Sequence, residues 1–273
     1  LAEESLKAVR LEVGGEDLHR HRSIQRGLYA AVHDSEAAAS FYQQSLELFI
    51  ASGDEVQTAN LRYRVAGNMV NRGETAAAWP LLEESLRTFR QLGLPRGEAQ
   101  VLGYLSEKAH GDGDLALASE LSLESARIAH EADWKWWEAG QLCDAARFER
   151  ERGNLDSAEK DALRALELSL DLGDRRRLVF AAAELAILAV ERGNAERAGR
   201  LWGAVESEVS SGQVGTWERR REEIEGLVLR TPGPEFAHSR SEGSLMSIGE
   251  AAGLAPQVDL SPADAGSSPV GPV

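Results

Sequence analysis

Gly113-Asp114-Leu115-Ala116-Leu117-Ala118 returns forty residues later as Gly153-Asn154-Leu155-Asp156-Ser157-Ala158, and again as Gly193-Asn194-Ala195-Glu196-Arg197-Ala198. A glycine, a short polar side chain and an alanine keep one register through all three. Outward from here the same step holds. Gly73 and Glu74 precede Ala78, and Ala38 lies one step earlier, with His33 and Asp34 in the two slots before it. Ser5, Ser45, Ser85 and Ser125 form a further column, continued by Ala165. Leu6, Leu46, Leu86 and Leu166 form another, interrupted by Ala126. A fixed period of this length marks a stacked array, in which each unit buries its apolar face against its neighbours.

Each unit reads as two helices. In one, helix A is predicted over Glu55 to Asn71 and helix B over Thr75 to Leu92. Leu61, Val65 and Met69, then Leu81, Leu82, Leu86 and Phe89, recur at the three- and four-residue steps of an amphipathic helix. The glycines at 73, 113, 153 and 193 end helix A in the left-handed conformation, and the Asp or Asn after them is placed to cap helix B. Gly53, Gly93 and Gly173 end helix B in the same way. The alanine column marks where helix B crosses helix A, a contact that needs a small side chain.

After Val209 the period fails. Trp217 to Arg230 reads as one charged amphipathic helix closing the array, and Thr231-Pro232-Gly233-Pro234 as a stop. Ser247-Ile248-Gly249-Glu250 has capping-box spacing. From Ala255 the chain is rich in Pro, Ser, Gly, Ala and Asp, a composition that predicts disorder. The expected organisation is a repeat array over 1–209 with about five units, terminal capping helices over 210–253, and a tail over 254–273. Leu1-Ala2-Glu3-Glu4-Ser5-Leu6 aligns with Leu81-Leu82-Glu83-Glu84-Ser85-Leu86, so the first unit reads as truncated and the chain as a piece of a longer protein.

The units resemble tetratricopeptide repeats. The helix B signature of small and large residues falls on Ala38-Tyr42-Ser45, Ala78-Leu82-Ser85, Ala118-Ser122-Ser125 and Ala158-Ala162-Ala165; helix A pairs fall on Val65-Ala66, Leu105-Ser106, Ala145-Ala146 and Leu185-Ala186. The period is longer than that family's, the closing proline is absent, and Arg62 and Ala182 stand where a large residue is usual. The resemblance implies an all-α fold, a right-handed superhelix of antiparallel helix pairs. Ala198-Gly199-Arg200-Leu201-Trp202-Gly203-Ala204, with Trp217-Glu218-Arg219, Phe236-Ala237 and Glu242-Gly243 through Ala251, resembles the C-terminus of bacterial signal-transduction ATPases, many of them LuxR-type or SARP-type transcriptional regulators. That likeness implies an upstream nucleotide-binding domain in the same chain and a cytoplasmic location.

The net charge of -15 argues against a nucleic-acid surface in this segment. A single cysteine, Cys143, excludes a disulfide framework and a four-cysteine zinc site, and reads as a small apolar residue. No run of eighteen apolar residues suggests a membrane span. Gly111-Asp112-Gly113-Asp114-Leu115-Ala116 superficially fits a dinucleotide fingerprint, but a helix, not a strand, precedes it. His19 and His21 point to different faces of a helix. No phosphate-binding loop, nucleophile elbow or metal motif is present, so neither catalysis nor a cofactor is expected of this segment.

What remains is a binding surface. By the resemblance, helix A lines the inner face, where Asn60, Tyr63, Asn71, Gln100, Glu107, His110, Arg147 and Arg150 map, with Trp136 on the same side. Two alternatives stand beside this: those residues form only the solvated side of each helix, and Trp136 packs against the preceding helix. The expected partner is a protein, a peptide or a small effector. Two functional readings stay open, a sensor array within a multidomain ATPase regulator and a stand-alone adaptor holding a peptide in its groove.

Overall fold

The computed structural model describes residues 35–72, 74–230 and 233–254. The readings of the truncated first unit, of His19 and His21, of Gly73 and of the tail lie outside these, as does the side chain of Asn71. Among the described residues every regular element is helical. The helices are α1 (Ser35–Ser52), α2 (Glu55–Asn71), α3 (Thr75–Gln91), α4 (Pro95–Gly111), α5 (Leu115–Glu131), α6 (Lys135–Glu151), α7 (Leu155–Leu172), α8 (Arg175–Glu191) and α9 (Ala195–Ser210), then α10 (Arg221–Val228), α11 (Pro234–Gly243) and α12 (Ile248–Ala251). From Ser35 to Ala195 the helices start every 20 residues, so the forty-residue period is two half-units of equal length. Among the described residues no helix is long and apolar enough to cross a membrane.

The turns work as the glycines predict. Gly53, Gly93, Gly113, Gly153, Gly173 and Gly193 all have φ between 62 and 84°. At α4, the amide of Asp114 reaches back to the Ala109 carbonyl at 2.9 Å and that of Gly113 to His110 at 2.9 Å, closing the last helical turn. One turn breaks the column. Asp133 stands where the others have glycine, and takes the left-handed conformation itself at φ 48°. The caps are less uniform. Asp114 and Asn194 each accept from the amide three residues on, at 3.0 Å. Asn154 makes no cap; its amide donates instead to Glu149 at 2.6 Å. Glu74 makes none either, and pairs with Arg72 at 2.6 Å.

The alanine column is fully buried at Ala78, Ala118, Ala158 and Ala198. The serine column has a cause of its own. Ser85 Oγ donates to the Ala59 carbonyl at 2.8 Å, and forty residues on Ser125 Oγ donates to the Ala99 carbonyl at 2.6 Å. Each bond ties helix B to helix A of its own unit and satisfies a buried hydroxyl.

The chain divides into two compact units, residues 1–184 and 185–273, with the boundary inside α8. In the second, α9 and α11 pack backbone to backbone. A Cβ on Gly199 would sit 2.4 Å from the Phe236 carbonyl oxygen, and one on Gly243 would sit 1.9 Å from that of Arg200. The Arg240 guanidinium forks onto Glu206 across the same crossing, both bonds at 2.6 Å. Beside it the fully buried Trp202 ring lies 6.3 Å from that of Trp217. Two sequence readings need correction here. Trp217–Arg219 is a separate 3-10 turn, and α10 starts only at Arg221, with Arg220 at φ -118° between the two. Pro234 does not merely stop a helix; it opens α11 as its first residue, where a missing N–H costs nothing. The capping box at Ser247 and Glu250 is present as expected, both bonds formed.

Candidate functional site

Within residues 1–184 the A helices α2, α4, α6 and the first part of α8 meet along one seam. At each meeting a glycine of one helix receives a long side chain of the next. A Cβ on Gly67 would lie 2.8 Å from the Tyr104 ring, one on Gly103 2.8 Å from the Gln141 amide, and one on Gly140 3.0 Å from Nε of Arg177. The receiving glycines are the thirteenth, ninth and sixth residues of α2, α4 and α6. The seam thus moves back about one helical turn per repeat.

Charged side chains run beside the seam. Arg147 of α6 donates to Glu107 of α4 at 2.8 Å, forty residues away, and lies 3.7 Å from Asp144. Burial works against its charge, but Glu107, Asp144, Glu151 and Glu184 together outweigh that and raise its pKa. His110 Nε2 bonds Glu151 at 2.8 Å, and its ring stacks on Phe148 with centroids 4.8 Å apart. Arg150 is buried and bridges from α6 to Glu184 of α8. Glu107, His110, Arg147 and Arg150, four residues singled out in the sequence, therefore sit in one network.

Trp136 belongs to a second cluster. The residue is 44% exposed, and the Arg177 guanidinium lies 3.8 Å from the ring centroid. Arg177 is itself buried and held by Asp174; burial lowers its pKa, and the Asp174 carboxylate opposes that shift. The rings of Trp134 and Trp137 stack at 5.2 Å, Arg96 covers Trp134 at 5.5 Å, and Trp137 Nε1 donates to Ser125 Oγ at 2.9 Å. Trp137 is thereby anchored to the A–B contact, while Trp136 presents an open face over a cation.

The remaining predicted residues fall differently. Asn60 and Gln100 are half-buried on α2 and α4. Tyr63 is a correction: it is 2% exposed and packs with Ala66, Phe89 and Leu105, so its ring is core and cannot line a groove. Desolvation pushes its phenol up to about 12. Sequence reasoning missed Arg64, whose guanidinium lies 5.2 Å from the Tyr63 ring and hydrogen-bonds Tyr42. It also missed Arg177, Glu184 and the seam glycines, which repeat at 36 and 37 residues and are invisible to a forty-residue comparison. Cys143 is half-buried, and desolvation raises its thiol pKa far above the usual range, which disfavours the thiolate. Among the described residues, no three His, Cys, Asp or Glu side chains could hold a metal ion together.

No family model matches the chain, and no curated protein does either. Solved structures do. The apo form of RapI superposes with a TM-score of 0.64 at 15% identity, covering 88% of this chain and 67% of that one. BtubC (BKLC) from P. vanneervenii superposes with a TM-score of 0.54 at 14% identity, covering 96% of this chain and 100% of that one. At such identities the likeness speaks for fold alone, and with the helix pairs above it makes this chain an all-α helical repeat of tetratricopeptide type.

Proposed function

We propose that this segment is a non-catalytic scaffold that binds a protein or peptide along the A-helix seam of residues 1–184. Trp136 carries the reading. A tryptophan left 44% exposed, with Arg177 fixed beneath it, has the composition and rigidity of an interface hot spot. About three helical turns further along α6, Arg147 pairs with Glu107 of α4, and the two offer both signs of charge, which suits recognition of an extended polar chain. Among the candidates, Asn60, Gln100, Glu107 and His110 line the approach, Arg147 and Arg150 hold the helices in register, and Trp136 is the anchor. Selecting peptides from a displayed library against the native protein tests this. Peptides so enriched should lose at least about tenfold in affinity for Trp136→Ala while its melting curve is unchanged. Equal affinity for both proteins would remove the anchor and the proposal with it.

The finer reading is that this scaffold is the C-terminal sensor array of a multidomain ATP-dependent transcriptional regulator. It is supported by the Leu201-Trp202-Gly203-Ala204 segment and the distal Glu242-Gly243, which resemble the ends of such proteins. The reading frame upstream of Leu1 tests it: a phosphate-binding loop is expected there, and its absence would favour the stand-alone adaptor.

A further inference from the structure

The repeats agree closely enough that a unit departing from its own pattern is informative. Between helices A and B of the next two units, α4–α5 and α6–α7, an apolar floor is laid by Leu102 with Ile128, and by Leu142 with Leu168, all of them buried. Over each floor a basic side chain bonded to a carboxylate joins the end of one helix to the start of the next. These are Arg90 with Glu98 at 2.7 Å and His130 with Glu138 at 3.2 Å. In the unit formed by α2 and α3, both closures are replaced. The floor positions hold Arg62 and Thr88, and the bridge positions hold Ile50 and Thr58. A cavity of about 320 Å³ opens there, lined by these four residues together with Glu84 and Glu55.

The groups in it are set for both signs of charge. Arg62 pairs with Glu84 at 2.8 Å, the guanidinium side chain 20% exposed and the carboxylate 45%. Thr58 and Thr88 add hydroxyls, and Ile50, 53% exposed, gives the mouth an apolar wall. A lone cation or anion would satisfy half of the Arg62–Glu84 pair and strand the other half. A zwitterion replaces one ion pair by two, carboxylate on Arg62 and ammonium on Glu84. The volume is at the small end of ligand sites. We propose that this cavity binds a free α-amino acid with an apolar side chain, its charged end on Arg62 and Glu84 and its side chain against Ile50. The site is independent of the peptide-binding reading, for it uses neither Trp136 nor the seam.

The test is thermal unfolding of the native chain with L-leucine, L-methionine or L-phenylalanine. Sodium acetate and isopentylamine serve as single-charge controls. At about tenfold excess over Kd, an amino acid bound to the folded state raises Tm by roughly 3 °C. The double variant Arg62→Leu with Thr88→Ile copies the filled floor of the next unit, so it should fold at least as stably and lose the response. Trp136→Ala should keep it. The proposal is overturned if none of the three amino acids shifts the native Tm, if acetate or isopentylamine alone matches them, or if the double variant still responds.

Discussion

Gly203 of α9 lies so close to Arg240 of α11 that a Cβ would stand 2.0 Å from the Arg240 carbonyl oxygen. Backbone cannot retreat as a flexible side chain can. Gly203→Ala should therefore force α9 and α11 apart, strip burial from Phe236 and strain the Arg240–Glu206 fork. We expect a loss of about 3 kcal/mol or more, beyond ordinary overpacking. The measurement is denaturant unfolding, with Gly226→Ala as control because nothing lies within 4 Å of its Cβ position. Similar midpoints for the two variants would contradict the crossing.

Ala118 and Ala158 fix the register of the array. Leucine at either position meets a fully buried site with no room, and should cost about 1–3 kcal/mol. Thermal unfolding of Ala118→Leu and Ala158→Leu checks this, and unchanged Tm in both would mean that the alanine column is not the A–B contact.

Asp161 of α7 is a buried carboxyl whose Oδ2 has no hydrogen-bond partner. Burial raises its pKa to about 6, opposed by Lys160 and reinforced by the charge of Glu149. Its ordinary value is 3.8, so the folded chain holds the proton more tightly than the unfolded one. Stability should fall as pH rises from about 4 to 6 and stay reduced above that. Asp161→Asn removes the penalty. It should be more stable than the native chain by about 1–2 kcal/mol at neutral pH, after allowance for solvent screening, and equal to it below about pH 4. Paired denaturation curves at acid and neutral pH decide the matter; a gain of the same size at both would locate the effect elsewhere.

Asp133 takes a backbone conformation that six glycines take in the other turns. Asp133→Gly relieves that strain but loosens the unfolded chain, and the two effects partly cancel. A net gain of about 0.5 kcal/mol is expected in chemical denaturation. A loss would show that the Asp133 side chain contributes more than its backbone costs.

Much of this was legible beforehand because a repeat prints the same physical demand several times. The turn glycines, the buried alanines and the serines at 85 and 125 each answer one demand, and all share the forty-residue step. What escaped the reading obeys a different rule. The seam glycines at 67, 103 and 140 follow helix–helix contact rather than chain period, so no column collects them. Helix α11 buries Phe236 but is held mainly by glycine contacts and a salt bridge, and has no apolar stripe to announce it. Tyr63 misled because polarity at its hydroxyl says nothing of where its ring packs. Glu107, His110, Arg147 and Arg150 were assigned to the inner face by the family resemblance, while their ion pairs, with Glu151 and Glu184 among the partners, emerged only from geometry.

The retreating seam has a last consequence. Two rulers run through this chain, one marked every forty residues and one every thirty-six or thirty-seven, and they slip against each other like a vernier. A seventeen-residue helix can absorb only a few such slips. Starting at the thirteenth position of α2 and standing at the sixth in α6, the contact has one step left before it passes the first residue of the next A helix. Stacking of this kind is self-terminating: the number of repeats that can be joined through one continuous seam is written into the mismatch between the two spacings.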